Sequence, residues 1–298
     1  MRILLTGAGG FIGSAFARVA AARGHALAGL LIPSEPVPPG LIQSVDLAWL
    51  RGTLAGAPWA EIEAFRPEVC VHAAWVTTPG VYLESPANFQ FLEESKRFLS
   101  RAIELGVRQV VGLGTCIEYQ IARAPLSEET TPISPTTTYA RCKNELRLAL
   151  EESARGLGFG CCWARVFYPY GPGEHPSRLC SSIVRKLSQD EPVLLKTPQS
   201  TKDYIYIEDL AAALLGVVEQ RFSGPINLGT GMGVSVRQIA QQLGELLGKP
   251  HLIQEAPTPE PDPFGYVVAD AAKLRALGWR PKHDLATGLR RLVESLAR

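Results

Sequence analysis

The chain opens on a run that leaves little conformational freedom. "RILLT" (2–6) passes without a spacer into "GAGGFIG" (7–13), so Gly7, Gly9, Gly10 and Gly13 cluster where a buried strand would end. Phe11 and Ile12 begin an amphipathic stretch over 11–23, and the pattern predicts strand, glycine turn, helix. A helix that starts on glycines directs its unsatisfied N–H groups and the positive end of its dipole at whatever occupies the turn. Without Cβ atoms the backbone can approach a pyrophosphate, and the last glycine lets helix and strand pack closely. The competing reading is a structural bend with no ligand. Position after a first strand and before a helix favours dinucleotide binding. Gly7, Gly9, Gly10, Phe11, Ile12 and Gly13 are the candidate cofactor contacts.

The alternation continues downstream. "LAGLL" (27–31), "EVCVHAA" (68–74) and "RQVVGLG" (108–114) are unbroken apolar runs, as expected of parallel strands covered on both faces. "SVDLAWLRGTLAG" (44–56) is expected to supply a further strand. Helical stretches lie at 57–65 and 87–105, and "SPTT" ahead of Tyr139 starts another at about 136–156, followed by a strand at 159–167. This order predicts an α/β, Rossmann-type doubly wound parallel sheet over 1–167. "YPYGPGEHPS" (168–177) breaks the pattern. Residues 168–298, with helices near 207–220 and 235–247 and a proline-rich loop at 255–265, read as a smaller mixed α/β substrate domain, some segments returning to the first.

Net charge is +1, and no run of basic residues occurs, which argues against nucleic acid or an anionic membrane as partner. No apolar run reaches the ~18 residues of a membrane span. Residue 1 already begins a strand, so no secretory leader is read and a cytoplasmic location is expected. Cys70, Cys116, Cys142, Cys161, Cys162 and Cys180 lie mostly in apolar segments without a C-x-x-C spacing, which favours reduced, buried thiols. The five histidines are isolated, so no catalytic metal is expected.

An acid reading the adenosine ribose is expected about 20 residues after the glycines. None stands at 27–32, Glu35 falls beyond the strand between Pro33 and Pro36, and no arginine occurs between Arg23 and Arg51. Ser34 offers at most a hydroxyl to a 2′-phosphate. NAD and NADP are therefore not separated.

Tyr139 and Lys143 stand four apart on a predicted helix and share a face. An ammonium near a phenol stabilises the phenolate and lowers its pKa, making the tyrosine a usable acid or base. Thr115 ends the run "VVGLGT", where a parallel strand delivers its carboxyl end to a ligand crevice.

The segments "TGAGGFIGS", "GTCIEY", "YARCK", "RVFYPYGP", "KDYIYIEDLA" and "INLGTGMGVSV" occur in the order seen in extended short-chain dehydrogenases/reductases of the NAD-dependent epimerase/dehydratase family, which act on nucleotide-diphosphate sugars. The chain resembles that family over nearly its whole length. The resemblance implies an NAD(P)(H) cofactor, a nucleotide-sugar substrate, and Thr115, Tyr139 and Lys143 as the catalytic Ser/Thr, Tyr and Lys, the latter two also touching the cofactor. It further implies a homodimer through the helices at 87–105 and 136–156. Departures narrow the reaction. Family dehydratases carry Asp-Glu after the threonine; here Cys116 and Ile117 follow, so dehydration is not expected. Glu118 is expected to touch the sugar instead. Tyr168 replaces an asparagine that contacts substrate, Lys202 replaces an arginine, and Arg178 is a candidate phosphate ligand. The pair "GTCIEY" and "YPYGPGEHPSRL" looks most like members that reduce 4-keto-6-deoxy sugar nucleotides at C4. A 4-epimerase with tightly bound NAD is the alternative. A non-catalytic cofactor-sensing regulator is a third reading, opposed by the presence of both Tyr139 and Lys143.

Overall fold

The computed structural model describes residues 1–41 and 46–297; Ser44 and Val45, at the start of the expected strand at 44–56, lie outside them. In chain order the first elements are β1 (Arg2–Thr6), α1 (Phe11–Ala22), β2 (Ala26–Leu31), β3 (Leu47–Arg51), α2 (Trp59–Phe65), β4 (Val69–His72), α3 (Ala87–Glu104), β5 (Gln109–Thr115), α4 (Thr138–Leu157) and β6 (Gly160–Val166). With the strand Gly224–Leu228 they form a seven-stranded sheet in the order β3-β2-β1-β4-β5-β6-(224–228). β1 pairs in parallel with β2 and with β4, β2 with β3, and β4 with β5. Strand order therefore reverses between β1 and β4, which opens a crevice beyond their carboxyl ends. All four residues of β4 and all seven of β5 are buried, which explains why neither run alternates.

Two compact units are formed, each built from three chain segments. The first comprises Met1–Glu118, Ile133–Arg165 and Ala211–Ile226; the second Tyr119–Pro132, Val166–Leu210 and Asn227–Arg298. In the second, Thr201–Tyr206 pairs in parallel with Tyr168–Tyr170 and Tyr266–Val267 and antiparallel with Gly233–Ser235. Asp203, fully buried on that central strand, accepts hydrogen bonds from the N–H groups of Thr230 (2.9 Å), Gly231 (2.8 Å) and Ala269 (3.2 Å) and from the Thr230 hydroxyl (2.6 Å). One carboxylate thereby ties three chain segments together.

All six cysteines are buried thiols outside any disulfide. Among the described residues no helix is long and apolar enough to cross a membrane, and no group of three or more His, Cys, Asp or Glu is placed to hold a metal ion.

Candidate active site

At Gly7 and Gly13 the glycine turn is shaped by backbone contacts that tolerate no side chain. Gly7 has φ +66°, and a Cβ there would lie 2.7 Å from the Ala74 nitrogen. A Cβ on Gly13 would lie 2.0 Å from the Gly7 carbonyl oxygen, so α1 rests directly on the turn. Gly10 caps α1 without a side-chain bond, and no acid stands in the first turn, where Phe11 and Ile12 are half-buried. The donors of that turn therefore face a cradle that only glycine leaves open, which fits a pyrophosphate. Thr6 closes the other side: its hydroxyl accepts from Ala74 N–H (3.2 Å) and bonds His72 Nδ1 (2.9 Å), while His72 Nε2 bonds the Ser95 hydroxyl (2.9 Å). Burial and the charge of Lys143 push the His72 imidazole down to about 3, so it is a neutral strut.

Glu35, which lies past the strand in sequence, returns to the turn. Its carboxylate sits so close over Gly9 that a Cβ there would meet it at 2.5 Å. Arg51, at the end of β3, holds this loop by donating to the carbonyls of Ile32 (3.4 Å) and Glu35. An acid thus stands beside the second glycine, on a loop that an arginine holds, although neither occurs at 27–32. Pairing of β2 with β3 carries Arg51 there across about 20 residues of chain.

Thr115 ends β5 and Tyr139 and Lys143 lie in the first turns of α4, whose start is fixed by the Thr137 hydroxyl accepting from Ala140 N–H (3.2 Å). All three are buried, Lys143 to 2% exposure. Thr115 acts on the Tyr139 phenol in the direction that favours its ionisation. The expectation that Lys143 lowers the Tyr139 pKa is not met. Burial, followed by Tyr82, Glu118 and Cys116, raises the phenol well above its ordinary value, and only Thr115 opposes them. The Lys143 ammonium is engaged elsewhere: it donates to the Leu113 carbonyl (2.8 Å) and lies 4.0 Å from the centre of the Trp75 ring. Burial pushes it down to about 7, against the opposing charge of Glu118. Tyr82 meets the Tyr139 ring edge-on at 5.0 Å, and Trp75 is anchored by its indole N–H on Asn88 (2.8 Å).

Glu118, expected at the sugar, has no exposed surface. It accepts from Thr115 N–H (2.9 Å), from the Trp163 indole N–H on both carboxylate oxygens (3.1 and 3.0 Å) and from Arg165 Nε (2.9 Å). The indole lies across β5 at Gly112 and Gly114, where added Cβ atoms would meet it at 2.5 and 2.2 Å. The strand glycines of "VVGLGT" are the available sequence signal for this close approach.

In the second unit, Lys202 is 7% exposed and donates to Asp262 (2.9 Å) and to the Phe264 carbonyl, with its ammonium 5.5 Å from the Tyr168 ring centre. Its charge is therefore shared with a carboxylate rather than held open for a phosphate. Tyr168 also packs against Tyr204 at 6.0 Å. Arg178 is half-buried at the start of the helix Leu179–Ser188, its charge acting on the buried carboxyl of Glu174.

Residues 3–229 match the NAD dependent epimerase/dehydratase family, well over half of the chain. The chain belongs to that family. It is an NAD(P)-dependent enzyme of the extended short-chain dehydrogenase type. This family member is 26% identical over 319 residues to the UDP-glucose 4-epimerase of Corynebacterium glutamicum, covering 99% of this chain and 94% of that one. It is 23% identical over 245 residues to the dTDP-6-deoxy-L-talose 4-dehydrogenase (NAD(+)) of Aggregatibacter actinomycetemcomitans, covering 81% and 89%. Among solved structures it is similar to the UDP-glucose 4-epimerase of Thermus thermophilus in complex with NAD, with a TM-score of 0.80, 27% identity and coverage of 100% and 99%.

Proposed function

We propose that the protein catalyses hydride exchange between NAD(P) and C4 of a nucleoside-diphosphate sugar, in the direction that reduces a 4-keto-6-deoxy sugar. The observation that carries this reading is the buried set of Thr115, Tyr139 and Lys143 in the same unit as the glycine cradle. A bound nicotinamide supplies the hydride. Tyr139 gives its phenolic proton to the oxygen as alkoxide character develops, and the Thr115 hydroxyl steadies the same oxygen. Lys143 supplies positive charge beneath Trp75. The cradle of Gly7, Gly9, Gly10 and Gly13 with Phe11 and Ile12 holds the pyrophosphate, and Glu35 faces the adenosine ribose, which favours NAD over NADP.

Dehydration is not part of the proposal. Cys116 and Ile117 are buried, apolar neighbours of Thr115, and the next carboxylate, Glu118, is enclosed by donors. A 4-epimerase is the second reading, favoured by similarity along the whole chain to the C. glutamicum enzyme. Tyr168 and Arg178 are proposed as substrate contacts, and Lys202, paired with Asp262, is not. A homodimer through α3 and α4 also belongs to the proposal; Phe89 and Leu148 are exposed on them, and sedimentation gives the mass.

The test begins with the purified protein. It is denatured and the supernatant assayed for nicotinamide cofactor; then dTDP-4-keto-6-deoxyglucose with NADH or NADPH, and separately UDP-glucose, are supplied. Oxidation of added NADH by the keto sugar is the expected result. UDP-galactose formed on retained NAD would replace it with the epimerase. Neither reaction would refute the C4 assignment for these substrates.

A further inference from the structure

Glu118 is a carboxylate at zero exposure held by three donors: a backbone N–H, an indole N–H and a guanidinium. One oxygen, Oε1, is shared by Thr115 and Trp163, the other by Trp163 and Arg165, so both the position and the plane of the carboxylate are held. An ionised carboxylate only accepts, and this cage asks for nothing else. The isosteric amide would turn an NH₂ toward one of these donors.

The cage is costly to keep. Two glycines in the middle of a central strand weaken it, and a buried ion pair is often no more stable than apolar residues of equal volume. Gly112 and Gly114 nevertheless leave the room that Trp163 fills, and Trp163 and Arg165 stand two apart on β6, on the same face. What the cage presents is the grip on the Thr115 N–H, in the turn that carries the catalytic hydroxyl.

We propose that Glu118 is a positioning residue for the C4 chemistry: clamped by Trp163 and Arg165, it fixes the Thr115 backbone, two residues from the Leu113 carbonyl that Lys143 holds, and supplies a buried negative charge that acts on that ammonium. The clamp stands on its own geometry, while its catalytic consequence rests on the C4 reading. The other groups around Tyr139 and Lys143 act as follows. His72, from β4, is neutral near pH 7 and its pKa is lowered by Lys143, while Tyr82 and Cys116 act on Tyr139 in the same sense as Glu118. The anion offsets part of the burial penalty of Lys143 and disfavours the tyrosinate. Both effects keep Tyr139 and Lys143 protonated, the state that donates to a ketone. The Arg165 guanidinium, 2.9 Å from the carboxylate, supplies the countercharge on its far side.

The experiment compares the full-length protein with Glu118→Gln and with the double variant Glu118→Leu/Arg165→Leu, which removes both charges and leaves no orphaned ion. Lysine ¹³Cε resonances are titrated; the chain has eight lysines, and Lys143 is assigned by its absence from Lys143→Arg. Turnover is followed with dTDP-4-keto-6-deoxyglucose and NADH. In both variants the Lys143 midpoint is expected to fall by about one unit or more. kcat is expected to fall at least about tenfold while NADH affinity stays within about twofold. If Glu118→Gln does not fold, the double variant carries the same expectations. A lower melting temperature with an unmoved Lys143 midpoint and unchanged kcat would overturn the proposal and leave Glu118 a packing residue. Absence of turnover in the unmodified protein would count against the C4 reading, and the titration would still decide the electrostatic role.

Discussion

Replacing Lys143 with methionine should make the protein more stable in the absence of cofactor while removing its activity. The ammonium is 2% exposed and its pKa falls from 10.5 to about 7, mainly through burial. Because the unfolded chain binds the proton more tightly than the folded one, folding carries no such penalty above the unfolded value and the whole of it below the folded one. Stability therefore rises with pH from about 7 toward 10.5, at up to about 1.4 kcal/mol per unit, and the full difference is about 5 kcal/mol. Methionine removes that penalty but leaves the Leu113 carbonyl without its donor, which costs about 1–3 kcal/mol. The net gain near neutrality is then about 2–4 kcal/mol. Urea unfolding of both proteins between pH about 6.5 and about 9 reads this directly; above that range the buried thiols, raised by desolvation, begin to act in the opposite sense. The unmodified protein should gain stability across the window and Lys143→Met should not. A flat profile in the unmodified protein, or an equal slope in the variant, would refute the burial argument.

Tyr139→Phe should lower kcat by about 10²–10⁴-fold and leave cofactor affinity nearly unchanged, as measured by NADH fluorescence; normal turnover would remove Tyr139 as proton donor. Gly13→Ala places a Cβ 2.0 Å from the Gly7 carbonyl oxygen and should destabilise the fold by about 1–3 kcal/mol and weaken NADH binding, whereas Gly10→Ala, at 3.3 Å, should do far less. Equal effects of the two would contradict the cradle described for the turn. Glu35→Gln should weaken NAD binding about tenfold and narrow its advantage over NADP, read by titration calorimetry; an unchanged ratio would detach Glu35 from the ribose.

Much of the molecule is legible in the sequence. Unbroken apolar runs ending in Gly7–Gly13, and again in Thr115, identify parallel strands whose carboxyl ends face a crevice, because both faces of such strands are covered and only the ends meet a ligand. The helical spacing of Tyr139 and Lys143 is likewise local. What the spacing does not contain is where a long side chain ends up. Lys143 turns to Leu113 and Trp75, Lys202 to Asp262, and Glu118 to Trp163 and Arg165, in each case because a buried charge must find partners and those partners come from other elements. The glycines of β5 mark a close approach without naming the indole that makes it. Glu35 lies too far along the chain to be read as a ribose acid, and a loop held from the neighbouring strand brings its carboxylate over Gly9. Local periodicity decides the elements and the ends of the strands; the pairing of buried charges and the closure of loops depend on contacts between residues distant in sequence, which only the tertiary structure determines.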